Sequence, residues 1–196
     1  MKGRLVTFEG IDGSGKSTIA RLLVDAIGKD AILTAEPTDS WIGHSVTRAL
    51  KNELDPITIA LLFIADRCEH IKHITQLIAD NAIVVCDRFA DSTYAYQKEH
   101  LHMPDAGTWL SIIQKPFLIT PDLTFLFRIT PDEAIRRIRG RKKIMYERLD
   151  FLHHVQENYL ELATKEKERI VIIDAEQEKD SILNECMHIL HARRIL

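Results

Sequence analysis

The 196-residue chain has little cysteine: Cys68, Cys86 and Cys186 are all there is. The number is odd and no two are closely spaced, so neither a disulfide framework nor a zinc knuckle is implied. They read as incidental thiols of a reducing cytosol. An excess of charge of either sign is also missing, since 26 Lys and Arg against 29 Asp and Glu leave −3. Such a chain has no global field to draw it onto DNA, RNA or anionic lipid. No nucleic-acid or membrane partner is expected, and any anion site must be local. Long apolar runs are lacking too. The longest clean one, residues 59–65, is far short of the roughly 20 residues of a membrane-spanning helix. Met1-Lys2-Gly3-Arg4 leads straight into a strand-like segment without the apolar stretch of a signal peptide. The expectation is a soluble, cytoplasmic protein. Hairpin signals, internal repeats and interdomain linkers are absent as well. With 45% hydrophobic and 28% charged residues, the balance is that of one globular domain, 1–196, able to bury a core without disulfides.

What is present is an alternation of strand-like and helix-like segments. Leu5-Val6-Thr7-Phe8 is short, apolar and β-rich, and a helical pattern follows over 16–27. A second strand is expected over 31–35, then a Pro/Thr/Asp/Ser loop over 36–43 and a short helix to Leu50. Asp55-Pro56 reads as an N-cap with proline at the first helical position, opening a long helix toward Asp80. Residues 82–86 are apolar on both faces, as in a central parallel strand, and 123–127 and 170–173 look similar. Thr130-Pro131-Asp132-Glu133 starts another helix, with acidic residues facing its positive end. Helices separate every strand pair, which specifies an α/β fold: a parallel sheet with helices on both faces.

Gly10-Ile11-Asp12-Gly13-Ser14-Gly15-Lys16-Ser17 fits G-x-x-x-x-G-K-[ST], with a strand before it and a helix after. Its glycines let backbone N–H groups curl toward phosphate oxygens. The helix opening near Lys16 adds its positive end, Lys16 can reach the β- and γ-phosphates, and the Ser17 hydroxyl can ligate Mg²⁺. Thr18 completes the candidate ATP-binding segment. Asp87, ending a buried strand beside this loop, can hold Mg²⁺ through water. The next residue is Arg88, and a guanidinium there suits a second phosphate better than an attacking water.

The chain resembles the thymidylate kinases. The resemblance is carried by Phe8-Glu9-Gly10-Ile11-Asp12-Gly13-Ser14-Gly15-Lys16-Ser17-Thr18, Glu36-Pro37, Phe63-Ile64-Ala65-Asp66-Arg67, Asp87-Arg88-Phe89 and Ser92-Thr93-Tyr94-Ala95-Tyr96-Gln97. It implies a three-layer P-loop kinase fold with a five-stranded parallel sheet, a small mobile lid, and γ-phosphoryl transfer from ATP-Mg²⁺ to dTMP. It also implies that Phe63 stacks on thymine, Arg67 contacts the base edge and Arg88 binds the acceptor phosphate. Asp12 would contact the sugar 3′-hydroxyl, with Glu36 on the acceptor side and Ser92, Thr93, Tyr96 and Gln97 lining the nucleoside pocket. On the residues alone, Phe63 and Arg67 share a helix face four apart and can form a base platform, while core packing is the stronger reading of Phe63 without the other motifs.

Six of the eight residues 136–143 are basic. The phosphate loop carries no arginine at its variable positions, so the resemblance places a catalytic arginine in the lid, 136–148: Arg139 or Arg141. Arg136 and Arg137 fall on the preceding helix, where Arg137 can pair with Glu133. Many bacterial members have arginine before Glu-Pro. Ala35 stands there instead, with Arg48 as a possible substitute, and a cis Glu36–Pro37 bond is expected. His70, His73, His100, His102, His153 and His154 have no ligand spacing and are expected on the surface. The 173–176 loop lies near the ATP adenine in similar kinases, and by position is equally a strand-to-helix turn. Family members are usually homodimers, and the apolar face of the 57–78 helix is a candidate interface, though core burial explains that face equally well. A deoxynucleoside kinase, with Glu36 as base, is the alternative enzyme. A nucleotide switch lacks an evident water-positioning residue.

Overall fold

The computed structural model describes residues 3–138 and 147–196. Strands β1 (Arg4–Glu9), β2 (Ala31–Ala35), β3 (Ile83–Asp87), β4 (Leu123–Arg128) and β5 (Ile170–Asp174) form one sheet in the order β2-β3-β1-β4-β5. Every neighbouring pair is parallel. The helices are α1 (Lys16–Ile27), α2 (Trp41–Lys51), α3 (Pro56–Ala79), α4 (Ala90–His100), α5 (Ala106–Gln114), α6 (Pro131–Ile138), α7 (Glu147–Lys165) and α8 (Lys179–Ala192).

Alternation along the strands divides the core between the two faces of the sheet. Val6, Phe8, Ile83 and Val85 pack with Ile19 and Leu23 of α1 and with Ile182 and Cys186 of α8. Leu5, Val84 and Cys86 pack on Ile71 and Ile74 of α3. Both faces are therefore covered, and full burial of a side chain such as Ile83 is worth about 2 kcal/mol. The expected architecture of a five-stranded parallel sheet flanked by helices is the observed one. Asp55 caps α3 by accepting from the Ile57 and Thr58 N–H groups.

One boundary differs. The loop expected over 36–43 ends at Ser40, whose Oγ accepts from the Gly43 N–H at 3.1 Å and starts α2 at Trp41, three residues early. Gly43 reads as a loop residue in the sequence, yet it lies in the first turn because its backbone packs against Thr38. A Cβ there would lie 1.9 Å from the Thr38 carbonyl oxygen.

Strand order positions the site. β1 lies between β3 and β4, so the crevice at its carboxyl end opens where connections leave in opposite directions. Phe8 is in register with Asp87, which brings the segment after β1 beside the end of β3.

Candidate active site

After Glu9 the chain turns through Gly10, Gly13 and Gly15 with φ of 141°, 89° and 84°. A Cβ would lie 2.6 Å from the Phe127 carbonyl oxygen at Gly10 and 2.4 Å from that of Ala134 at Gly13. Only glycine makes this turn without strain. It delivers Gly15 to the start of α1, where no side chain caps the helix, an end that an anion can complete. Lys16 is buried, and its Nζ has the Ile11 carbonyl at 3.5 Å. Burial, then the positive charge of Arg88, bring its pKa down to about 8 against the pull of Asp12, Asp87 and Glu9. A desolvated ammonium of this kind is completed by an anionic ligand. Ser17 and Thr18 follow, exposed, in the first turn of α1.

Beside the loop, Arg88 takes a left-handed backbone conformation, φ 70°. For a non-glycine residue this costs about 1 kcal/mol. A bond from its N–H to the Phe8 carbonyl, 2.9 Å, helps hold it. Its guanidinium donates to Asp12 Oδ1 at 2.7 Å and to Ser92 Oγ at 3.1 Å, and lies 5.0 Å over the Tyr96 ring. The Tyr96 hydroxyl accepts from the Asp12 N–H at 3.1 Å. Phosphate loop, Arg88 and α4 are thus tied together.

They open onto a cavity of about 760 Å³, a size suited to a nucleotide. Its walls include Asp12, Glu36, Phe63, Arg67, Arg88, Ser92, Thr93, Tyr96 and Gln97, with Pro37, Leu50, Phe89, His100, His102 and Phe151 completing them. Among the described residues, the buried side-chain polar atoms without a hydrogen-bond partner are Ser14 Oγ, Arg67 Nε, Asp87 Oδ1 and Gln97 Oε1. All four belong to the phosphate loop, the end of β3 or the cavity wall. Unpaired buried polar atoms are costly and uncommon, so their concentration here fits groups that a ligand or ion completes.

Arg67 is fully enclosed. Its terminal nitrogens donate to Gln114 Oε1 at 2.6 Å, Glu36 Oε2 at 2.5 Å, Thr93 Oγ1 at 2.8 Å and the Phe89 carbonyl at 3.0 Å. Glu36 Oε1 meets His70 Nδ1 at 3.0 Å, and His70 Nε2 meets Thr34 Oγ1 at 2.7 Å. His70 was expected on the surface. It is buried, because its place in α3 continues the inward face that carries Ile64, Arg67, Ile71 and Ile74. The other five histidines named with it are exposed. The Glu36–Pro37 bond is cis. Arg48 is exposed on α2.

Glu9 is a site residue that sequence reasoning passed over. Fully buried, it accepts from the Phe89 N–H at 2.8 Å, from Ser92 Oγ at 2.5 Å and from the Tyr159 hydroxyl at 3.1 Å. Burial, then the negative charge of Asp91, push its pKa up to about 7 against the Ser92 and Phe89 bonds and the charge of Arg88. Gln114, Phe151 and Tyr159 were missed as well. The only available signal was their place on helical apolar faces, which does not say which element they meet.

On the other side of the loop, Arg136 and Arg137 of α6 both pair with Glu133, at 2.5 and 2.8 Å. Arg137 also donates to the Ala175 carbonyl at 2.8 Å, and Glu176 accepts from the Thr130 N–H at 2.9 Å. The 173–176 loop is therefore bound to the start and end of α6. Arg139, Arg141 and most of the expected lid, 136–148, lie outside the described residues.

The family model "Thymidylate kinase" matches residues 8–186. The chain belongs to the thymidylate kinase family. A probable thymidylate kinase of Methanococcoides burtonii is 43% identical over 93% of both chains. The thymidylate kinase of Ligilactobacillus salivarius is 33% identical, covering 97% of this chain and 99% of its own. In structure, the thymidylate kinase of Ehrlichia chaffeensis superposes with a TM-score of 0.78 at 28% identity, covering 96% of this chain and 98% of that one. The loop, arginine and cavity described above lie within the stretch that matches the thymidylate kinase family model. Among the described residues no helix is long and apolar enough to cross a membrane.

Proposed function

We propose that this chain transfers the γ-phosphoryl group of ATP-Mg²⁺ to dTMP, giving ADP and dTDP. The observation that carries the reading is the placement of Arg88. Its guanidinium stands where the phosphate loop meets the cavity, held by Asp12 and Ser92. A monophosphate acceptor is already anionic and needs cations and alignment rather than a base. In this reading the loop backbone of Gly10, Ile11, Asp12, Gly13, Ser14 and Gly15, with Ser17 and Thr18, binds the ATP phosphates, and Lys16 stabilises the charge that shifts during transfer. Ser17 and Asp87 would hold Mg²⁺. The buried, unpartnered Asp87 Oδ1 suits that role, and the bound ion would neutralise phosphate charge. Arg88 aligns the acceptor phosphate and Phe63 stacks on the base. Arg67, through its enclosed network, fixes Glu36 and Thr93 around the nucleoside, with Gln97 presenting its unpartnered oxygen. Arg139 or Arg141 supplies the lid cation.

The alternative, a deoxynucleoside kinase, needs Glu36 as a base. Both of its oxygens are engaged, one by Arg67 and one by His70, which disfavours proton abstraction. Steady-state ADP formation against a panel of nucleosides and nucleoside monophosphates tests the choice. dTMP is expected to be the best acceptor, and thymidine turnover above that of dTMP would overturn the reading.

Tyr96 is proposed to screen the sugar. It lines the cavity beside Asp12 and Arg88, where an aromatic wall leaves a 2′-hydroxyl neither room nor partner. Tyr96→Ala is expected to lower the ratio of kcat/KM for dTMP over its ribo-analogue by about tenfold. Both rates can fall through lost packing, so the ratio is the quantity to measure. An unchanged ratio in a folded variant assigns sugar selection elsewhere.

The homodimer is proposed to form through α2 and α3, a second copy covering Trp41, Ile57 and Leu61, which are 78%, 45% and 42% exposed. Sedimentation of the wild type and of Leu61→Glu is expected to give a dimer and a monomer. A monomeric wild type contradicts it.

A further inference from the structure

The Ser92 hydroxyl has one proton and three neighbours. Arg88 is donor-only, so at 3.1 Å Ser92 Oγ accepts from it. The proton is then left for Glu9 Oε2 at 2.5 Å or the Tyr159 hydroxyl at 2.8 Å. Tyr159 can itself donate to Glu9 Oε2, 3.1 Å away. A carboxylate at Glu9 satisfies every partner at once. It accepts from Ser92, Tyr159 and the Phe89 N–H, and it turns the Ser92 lone pairs toward Arg88.

We propose that Glu9 is a positioning residue for the acceptor phosphate, acting through Ser92 to set the orientation of the Arg88 guanidinium. The relay runs from the last residue of β1 through α4 to the arginine, and it is separate from the charge interaction between Glu9 and the buried Lys16. Its anchor is rigid: Phe89 N–H ties Glu9 to the turn before α4, and Tyr159 ties it to α7. The other end of Arg88 is held by Asp12 at 2.7 Å, so Ser92 and Asp12 fix the guanidinium fork from two directions. A planar fork must meet phosphate oxygens in register. Losing the Ser92 hold lets it rotate about the remaining contacts to Asp12 and Tyr96 without removing its charge.

The proposal rests on the reading of Arg88 as the acceptor-phosphate ligand. Glu9→Gln keeps the volume but turns the oxygen facing the Ser92 and Tyr159 hydroxyls into an N–H donor, so the acceptor of the Ser92 proton is lost. It is expected to raise the KM for dTMP about tenfold, the scale of a lost hydrogen bond to a charged group, with the KM for ATP within about twofold. Ser92→Ala cuts the relay at its middle and should raise the dTMP KM at least as much. The double variant should then be no worse than Ser92→Ala alone, because the two residues act in series. Additive effects, or a Glu9→Gln variant that melts lower with an unchanged dTMP KM, would overturn the relay and leave Glu9 a packing element. Where Glu9→Gln does not fold, Ser92→Ala decides, since an unchanged dTMP KM there removes the hydrogen-bonded link from Glu9 to Arg88 on which the relay rests. Arg88→Ala, measured alongside, separates the two layers. If it too leaves the dTMP KM unchanged, the error lies in the role of Arg88; if it raises that KM while Glu9→Gln does not, the relay alone is wrong.

Discussion

Lys16→Ala lowers kcat by about a thousandfold, the scale of removing a preorganised charge from a transition state. Two observations set that expectation. Lys16 is enclosed by the loop, with one long contact to the Ile11 carbonyl, so its ammonium is held ready for phosphate oxygens. Its pKa is also brought down to about 8, by burial first. The folded chain therefore disfavours the lysine charge, and removing it should not unfold the protein. Kinetics and thermal melts of the same preparation check both halves. Near-wild-type turnover in the variant contradicts the assignment of the phosphate loop.

Arg88→Ala raises the KM for dTMP by about a hundredfold, with ATP affinity changed by less than about threefold. The asymmetry follows from where the side chain goes. It leaves the end of β3 in a left-handed turn and points its fork toward Asp12, Ser92 and the cavity containing Phe63 and Gln97. Separate measurement of ATP binding and acceptor kinetics tests it. A selective loss of ATP affinity with normal acceptor kinetics places Arg88 on the other substrate.

How legible these features were in the sequence depends on how local they are. The phosphate loop is contiguous and its three glycines all take positive φ, with close backbone approaches at Gly10 and Gly13, so the motif, the strand before it and the helix over 16–27 could all be read directly. The strands were legible because parallel strands covered on both faces are continuous apolar runs, as in Ile83-Val84-Val85-Cys86. Gly43 was misplaced because a helix start is decided by its cap, here Ser40, and by the packing of Gly43 on Thr38, which composition does not encode. His70 was misplaced for a related reason. Taken singly, a histidine is a surface residue, while its spacing from Arg67 and Ile74 puts it inside. Glu9 and Tyr159 stand 150 residues apart and meet at a 3.1 Å hydrogen bond. No periodicity reports that pairing, because it is created when α7 packs against α4 and the sheet. The motif contained Glu9 without showing what it does there.

Product identity tests the central claim most directly. Incubating the chain with ATP, Mg²⁺ and dTMP and following the reaction by phosphorus NMR should show ADP and dTDP appearing together in equal amounts, with no release of inorganic phosphate. ADP and inorganic phosphate without dTDP, or phosphorylation of thymidine to dTMP with dTMP itself inert as acceptor, would contradict the account.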